Sequence, residues 1–402
     1  MAMILFLLKA RLENKCQVAR NFLKKIAVIV CTPLTFLMRL SGYYILNINT
    51  KRIGHLCIDV DAFIKENKLA NKPTKKAILL CPNGSVANRY LITYFRPYLT
   101  VITSNLICIF FNVLKLNKKI VFDCSEYTET KKSATAYLIQ SRWEELFPPL
   151  FKLSDEDEIF GKNEILKIGL PKDAWWVCIH SRESGYSGRN DFGQGYRNSS
   201  IRNYEAAISE VRLRGGWCLR MGDPSMQKLS PQAGVIDYAH HPSRSDFLDV
   251  YLPAKSKLYL GNTSGAFALA SIFGAPIATA NMVPITAVFP YGKNDISIPK
   301  LYARNGKNLS FKQMFSSDIA SARDEVYYSK TNLTVFENDP DDIRDLVREG
   351  LDRVFGVYER LEIDDILSVK FRKNMTNGDH SFYSTSSICS YFLRKHIKLL
   401  DE

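Results

Sequence analysis

Apolar and polar positions change rhythm along this chain, and the changes mark its elements. Ile26 to Met38 is an almost unbroken apolar run flanked by Lys24, Lys25 and Arg39. After Arg52-Ile53-Gly54 the stretch His55 to Val60 reads as a strand. Ala77 to Cys81 is a second short apolar run, closed by the turn signal Pro82-Asn83-Gly84. Asn88 to Tyr98 has helical character and Lys119 to Phe122 that of a strand. An acidic stretch near Ser154 to Glu158 precedes Pro171-Lys172, which sets a boundary near residue 165.

The second half alternates more cleanly. Ala174 to Ile179 predicts a strand, and a Gly, Ser and Asn-rich loop follows it. Ile201 to Arg214 predicts a helix, because Ile201, Tyr204, Ile208 and Val211 share one face and Gly215-Gly216 stops it. Strands are expected at Trp217–Met221, Val235–Ile236, Lys257–Leu260 and Pro276–Ala280, with a helix at Ala266–Phe273. Asp339 to Leu361 predicts a long amphipathic helix, and a basic tail helix is expected around Ile388 to Leu400. Strands alternating with helices predict an α/β fold with parallel sheets. The expected division is an arm over 1–50, a first domain over 51–165, a second over 166–338 and C-terminal helices over 339–402.

Composition narrows the class. No stretch resembles the repeated twenty-residue apolar runs of a polytopic membrane protein. The nine cysteines lack CxxC or CxxH spacing and read as reduced thiols, and no zinc spacing exists among the six histidines. The net charge of +13 is concentrated early: up to Arg52 there are nine Lys and Arg against the single acid Glu13, a net of +8. Beside an apolar run, such an arm favours anionic lipid over nucleic acid, for which no basic-aromatic module is visible. Ile26 to Met38 is too short to span a bilayer and is interrupted by Pro33 and Arg39. Two readings stand: a helix lying in the membrane interface, or a core helix of the first domain with a solvated basic face.

Ligands of open parallel sheets sit beyond the carboxyl ends of the strands. Three groups fall there. His180 and Arg182 follow the strand AWWVCI. Arg220, Gly222 and Asp223 close the strand WCLRM. Asn262, Thr263, Ser264 and Gly265 join a strand to a helix start, where free N–H groups favour an anion. Arginine offers a rigid, permanently charged fork to phosphate oxygens. The loop Gly185 to Gly195 carries four glycines but no GK[ST], so it is not a P-loop. Asp191 and Glu183 are candidate general bases.

The segments CIHSRESGYSGRN, YRNSSIRNYEAAISEVRLRGGWCLRMGDPSM, LGNTSG, FGAPIATAN and DISIPKLY resemble a bacterial family of glycosyltransferases found among surface-polysaccharide genes. RIGHL and LCPNGSVAN resemble it more weakly, and the resemblance spans roughly residues 50–355. It implies two facing Rossmann-like domains, the GT-B architecture, with the nucleotide-sugar in the C-terminal half. His-x-Arg is similar to the fucosyltransferase-like GT-B group, in which the arginine holds the donor diphosphate. By that resemblance Arg182 takes this role, His180 shapes the pocket and Arg220 is a second ligand.

Glycosyl transfer expels a nucleotide diphosphate whose developing charge must be stabilised. No Asp-x-Asp is present, so a metal-independent enzyme without a cofactor is expected, the nucleotide-sugar serving as co-substrate. A glycan or lipid-linked acceptor would enter near Gly54, His55 and Asn83. The expected setting is the cytoplasmic side of the inner membrane, with the arm as peripheral anchor. Two alternatives remain: a nucleotide-sugar epimerase of the same fold, and a non-catalytic nucleotide-sugar or polysaccharide-binding protein at the membrane.

Overall fold

The computed structural model describes residues 24–70, 75–127, 134–184, 193–286 and 290–400. Helix α1 covers 24–40. It is followed by β1 (Tyr43–Asn47), α2 (Ile53–Leu69), β2 (Lys76–Leu80), α3 (Leu91–Phe95), β3 (Thr100–Ile102), α4 (Asn105–Leu114), β4 (Val121–Asp123), α5 (Ala134–Leu146) and α6 (Asp155–Lys167). The second half runs β5 (Trp176–Ile179), α7 (Glu205–Leu213), β6 (Trp217–Arg220), β7 (Val235–Ile236), α8 (Asp246–Lys255), β8 (Leu258–Gly261), α9 (Ala268–Ile272), β9 (Ile277–Met282) and β10 (Ile296–Pro299). Then come β11 (Leu301–Arg304), β12 (Lys307–Asn308), the short helices α10 (Phe311–Met314), α11 (Ser317–Ala320) and α12 (Glu325–Lys330), and β13 (Leu333–Phe336). The chain closes with α13 (Pro340–Val354), α14 (Glu362–Arg372), β14 (Ser387–Ile388) and α15 (Ser390–Lys395).

Two α/β units, each an open parallel sheet covered on both faces, make up the described chain. The first sheet has the order β3-β2-β1-β4. Its side chains alternate between faces, as strand geometry requires. Ile45, Ile78 and Leu80 join α1 and α4 in one cluster, while Leu46, Ala77 and Leu79 join α2 in another. The second sheet has the order β14-β10-β9-β8-β5-β6-β7. Val177, Ile179, Leu258, Leu260 and Ala278 pack with α7 and α13, and Trp176, Cys178, Leu219 and Tyr259 with α6 and α8. Burial on both faces explains why these strands read as continuous apolar runs. A small antiparallel sheet, β12-β11-β13, flanks the second unit.

Several expectations change. His55 to Val60 is not a strand but lies in α2, whose residues Leu56 to Lys65 are all buried. A helix buried all round carries no apolar stripe, so the period that would reveal it is missing. Tyr43–Asn47, placed in the arm by sequence, is an inner strand of the first sheet. The C-terminal segment is not an appendage. Its β14 adds a parallel edge strand beside β10, and Ile388, Cys389, Phe392 and Leu393 enter the second core. The long helix ends at Val354, where Gly356 takes φ +70.

The units are joined through α2. Leu56, Val60 and Phe63 share one apolar cluster with Val250, Ala268, Leu269 and Ile272 of the second unit. Asn88 donates to the Asp246 carbonyl at 2.8 Å, and the Arg89 N–H donates to the Asp246 carboxylate at 2.8 Å. The Tyr90 and Tyr94 hydroxyls both donate to Asp157 on α6. The expected boundary near residue 165 falls inside α6, whose Ile165 packs in the second core.

Candidate functional site

The strand order reverses between β5 and β8: from β5 the chain builds outward through β6 and β7, then returns to lay down β8, β9 and β10 on the other side. A crevice at the carboxyl ends of two such strands is where open α/β sheets take ligands. His180–Arg182 follow β5 and Asn262–Gly265 follow β8, so two of the three candidate groups meet there.

Hydrogen bonds tie the two groups together. The Arg182 N–H donates to Asn262 Oδ1 at 3.0 Å, and Asn262 Nδ2 donates to Ser199 Oγ at 2.9 Å and to the Arg197 carbonyl at 3.0 Å. Arg182 Nη1 donates to the Gln194 carbonyl at 3.1 Å and to Asn198 Oδ1. Arg197 Nε and Nη2 donate to the Thr263 carbonyl at 3.0 and 2.9 Å. Thr263 Oγ1 in turn accepts the Val283 N–H at 3.0 Å. Beneath them, the buried Lys300 donates to the carbonyls of Tyr196 and Asn198 at 3.0 and 2.7 Å. Burial lowers this ammonium to about 8. The segment 193–199 is thus fixed from three sides.

Gln194 Nε2 donates to the Arg323 carbonyl at 3.2 Å, which brings a third arginine to this segment. Burial raises the Tyr196 phenol, while Arg197, Arg323 and Arg182 oppose the rise. Arg323 Nη2 also lies 3.0 Å from His380 Nε2. His180 is 5% exposed, and its Nδ1 is buried without a hydrogen-bond partner. Burial lowers its imidazole to about 4, with Arg220 the next cause, so the ring is neutral at pH 7. The arrangement offers positive potential, one neutral buried imidazole nitrogen and a helix start, which together suit an anion.

Arg220 stands apart from its expected role. It is 1% exposed, with Nη2 on Glu183 at 2.9 Å and Nη1 on Asp237 at 3.4 Å. A guanidinium matched by two carboxylates and closed to water serves the fold rather than a phosphate. The same contacts occupy Glu183, whose second oxygen accepts the Gln227 N–H at 2.7 Å. Gly222 has φ +146, and a Cβ there would lie 2.2 Å from Met226 Sδ. Asp223 accepts the Ser225 N–H at 2.9 Å. Beside it, Pro224, His240, His241, Arg244, Asp246 and Asp249 line a cavity of about 420 Å³. Asp191 lies outside the described residues. Among the described residues no group of three or more His, Cys, Asp or Glu could hold a metal ion.

On the opposite side of the crevice, Gly54 touches Gly265. A Cβ on Gly54 would lie 2.8 Å from Gly265 Cα, and one on Gly265 would lie 3.1 Å from Gly54 N. His55 therefore stands at the edge of the second unit's helix start, its Nδ1 3.2 Å from Asp59 Oδ2. Asn83 is exposed and accepts from Arg89 at 3.2 Å; the tie across the units is made by Asn88 instead. Sequence reasoning also missed Arg197, Lys300 and Arg323. Arg197 has a usable signal, a basic residue closing a Gly-rich loop. Lys300 lies in DISIPKLY, a segment already singled out, but nothing in it points to a partner over a hundred residues away; Arg323 has no signal.

No family model matches this chain, and no curated protein matches it by sequence. Among solved structures, the E. coli ADP-heptose lps heptosyltransferase II is similar with a TM-score of 0.46 at 12% identity, over 77% of this chain and 99% of that one. A glycosyl transferase family 9 protein from Veillonella parvula gives 0.47 at 10% identity, over 77% and 97%. The iron-containing dodecameric glycosyltransferase TibC of enterotoxigenic E. coli gives 0.38 at 9%, over 78% and 76%.

Proposed function

We propose that this protein is a glycosyltransferase that binds a nucleotide-sugar in the crevice between β5 and β8 and moves the sugar to a glycan or lipid-linked acceptor. The observation that carries the reading is that Arg182 and Arg197 tie the segment 194–198 to the turn Asn262–Thr263, at the point where the strand order reverses. Fixed cations there would stabilise the diphosphate as it leaves, without reorganising during the reaction. The buried Nδ1 of His180 would hydrogen-bond the donor without adding charge. The cavity beside Asp223 has the size for the nucleoside end.

The acceptor hydroxyl would meet the donor near Gly54. His55, oriented through Nδ1 by Asp59, would take the hydroxyl proton on Nε2. The oxygen then bonds to the anomeric carbon, and the departing diphosphate keeps the electron pair of the broken C–O bond. The engagement of both Glu183 oxygens by Arg220 and Gln227 argues for His55 over Glu183 as the base.

A thermal-shift screen of the whole chain against a panel of nucleotide-sugars tests the donor half, since a ligand stabilises the state that binds it. Transfer assays with the hit test the rest. His55→Gln is expected to lower kcat about 100-fold with donor-induced stabilisation unchanged. No stabilisation by any nucleotide-sugar would refute the reading. Stabilisation with isomerised donor and no transfer would favour an epimerase.

A further inference from the structure

The outer face of the first sheet is covered by α1 and α4, and among the described residues neither helix is covered in turn. Along α1 the residues facing the protein recur at three- and four-residue spacing. Val28, Cys31 and Met38 are half-buried, and Thr35 is buried, its Oγ1 accepting from Asn117 at 2.7 Å. Cys31 and Met38 pack into the cluster that holds Cys108 and Leu114 of α4, so the two helices are neighbours. The other positions of α1 are also apolar. Ile29, Val30, Phe36, Leu37 and Leu40 are exposed, Val30 at 71%. On α4, Leu106 is exposed at 79%, and Ile107, Ile109 and Phe110 are exposed beside it. A patch of this extent marks a surface that meets something other than water.

Charge identifies what it meets. No Asp or Glu occurs from Asn14 to Ile58, nor from Asn67 to Phe122. Lys24, Lys25 and Arg39 bracket the apolar part of α1, and Lys118 and Lys119 follow α4. Up to Asp123 the chain has 19 Lys and Arg against five acids, a net of +14, and beyond it 35 against 36. The whole excess of positive charge thus lies in the unit that carries the exposed apolar face. Among the described residues no helix is long and apolar enough to cross a membrane. An apolar patch rimmed by cations, on helices that do not span, fits the interface of an anionic bilayer: side chains reach the acyl boundary while ammonium groups meet lipid phosphates.

We propose that α1 and α4 together form a membrane-docking face that seats the first unit on an anionic lipid surface. This face is not the N-terminal arm alone: half of it belongs to α4, which follows β3 in the body of the fold. It lies on the side of the first sheet opposite α2, which joins the units. The docking itself does not depend on the reaction proposed above.

The experiment is co-sedimentation of the full chain with vesicles of neutral phosphatidylcholine, and of phosphatidylcholine with phosphatidylglycerol, without any nucleotide-sugar. The wild type is expected to bind the anionic vesicles at least tenfold more tightly than the neutral ones, with affinity falling as salt rises. Leu106→Asp with Ile109→Asp is expected to weaken binding at least tenfold, as is Ile29→Asp with Leu37→Asp. All four positions are solvent-exposed, and circular dichroism of each variant checks that it is folded. In a second measurement, Leu106→Trp is expected to gain fluorescence that brominated lipids quench. Three results would overturn the proposal. One is wild-type affinity in the α4 double variant. Another is absence of quenching at position 106. The third is a wild-type chain that ignores vesicles and sediments as a dimer which the α4 variant dissociates, since the face would then meet a second copy.

Discussion

Arg182 and His180 sit two residues apart at the end of β5 and differ in what their environment does to them. Arg182 donates from Nη1 to Gln194 and Asn198 and is part-buried beside the crevice. Arg182→Lys keeps the charge but loses the planar fork. Transfer is expected to fall about 30- to 1000-fold, roughly 2–4 kcal/mol of transition-state stabilisation, with little change in melting temperature. Near-normal kcat/KM in the Lys variant would refute the diphosphate role. His180 reports through stability. Its imidazole is lowered from 6.5 to about 4, so between those values the unfolded chain binds a proton that the folded chain refuses. Stability therefore falls as pH drops through that window, by up to about 3 kcal/mol from this group. Asp295 acts in the opposite sense: burial holds its carboxyl at about 7, so the folded chain binds its proton first and gains stability as pH falls. The two contributions offset in the wild type, which is why the comparison is with a variant. On acidification from pH 7 to 4.5, the unfolding free energy of His180→Gln measured in urea is expected to change by up to about 3 kcal/mol more favourably than that of the wild type. An equal change in the two proteins would mean that His180 is not held neutral.

At the scale of elements, the contact between α2 and the start of α9 rests on two facing glycines. Gly54→Ala would put a methyl carbon 2.8 Å from Gly265 Cα, which is backbone and cannot rotate away. The helices must separate, at about 1–3 kcal/mol of stability. Because the same gap sets the position of His55, transfer is expected to fall more than tenfold. Gly265→Ala should behave alike, and the double variant should cost less than the two singles added, since one separation relieves both clashes. Additive losses would show that the glycines act separately. The elements also show where periodicity is a guide. β5, β6 and β8 are buried on both faces and read as short apolar runs between turn residues, so their existence and place along the chain are visible in sequence. Helix α2 is as buried as they are, and its run of apolar residues mimicked a strand. Asp59, Asp61 and Lys65 within it carry no solvent signal, because Lys65 reaches Asp61 at 2.8 Å and Gln140 at 2.7 Å inside the fold.

At the scale of the whole molecule, positive charge is placed where lipid or phosphate would meet it. The proposed chemistry uses arginines to neutralise the leaving diphosphate, so initial transfer rates are expected to survive a titration of EDTA. Complete loss with rescue by a single divalent ion would sink this and return attention to Asp191, Asp223 and Asp246. The α/β class, the places of β5, β6 and β8 along the chain, and the edge on which His180, Arg182 and Asn262–Gly265 lie follow from local sequence. Each is set by residues a few positions apart, through strand alternation, turn residues and helix caps. The partners of those side chains do not. Arg220 and Arg182 both follow strand residues at the same edge, and nothing local distinguishes them. Only the fold brings Glu183 and Asp237 against the first and leaves the second at the crevice. In the same way, only the fold sets Gly54 against Gly265, and Arg323 and Lys300 beside the segment that Arg197 closes. It alone lays α4 beside α1. A pairing of groups over a hundred residues apart depends on how the sheets stack, and a one-dimensional pattern carries periodicity but not neighbours.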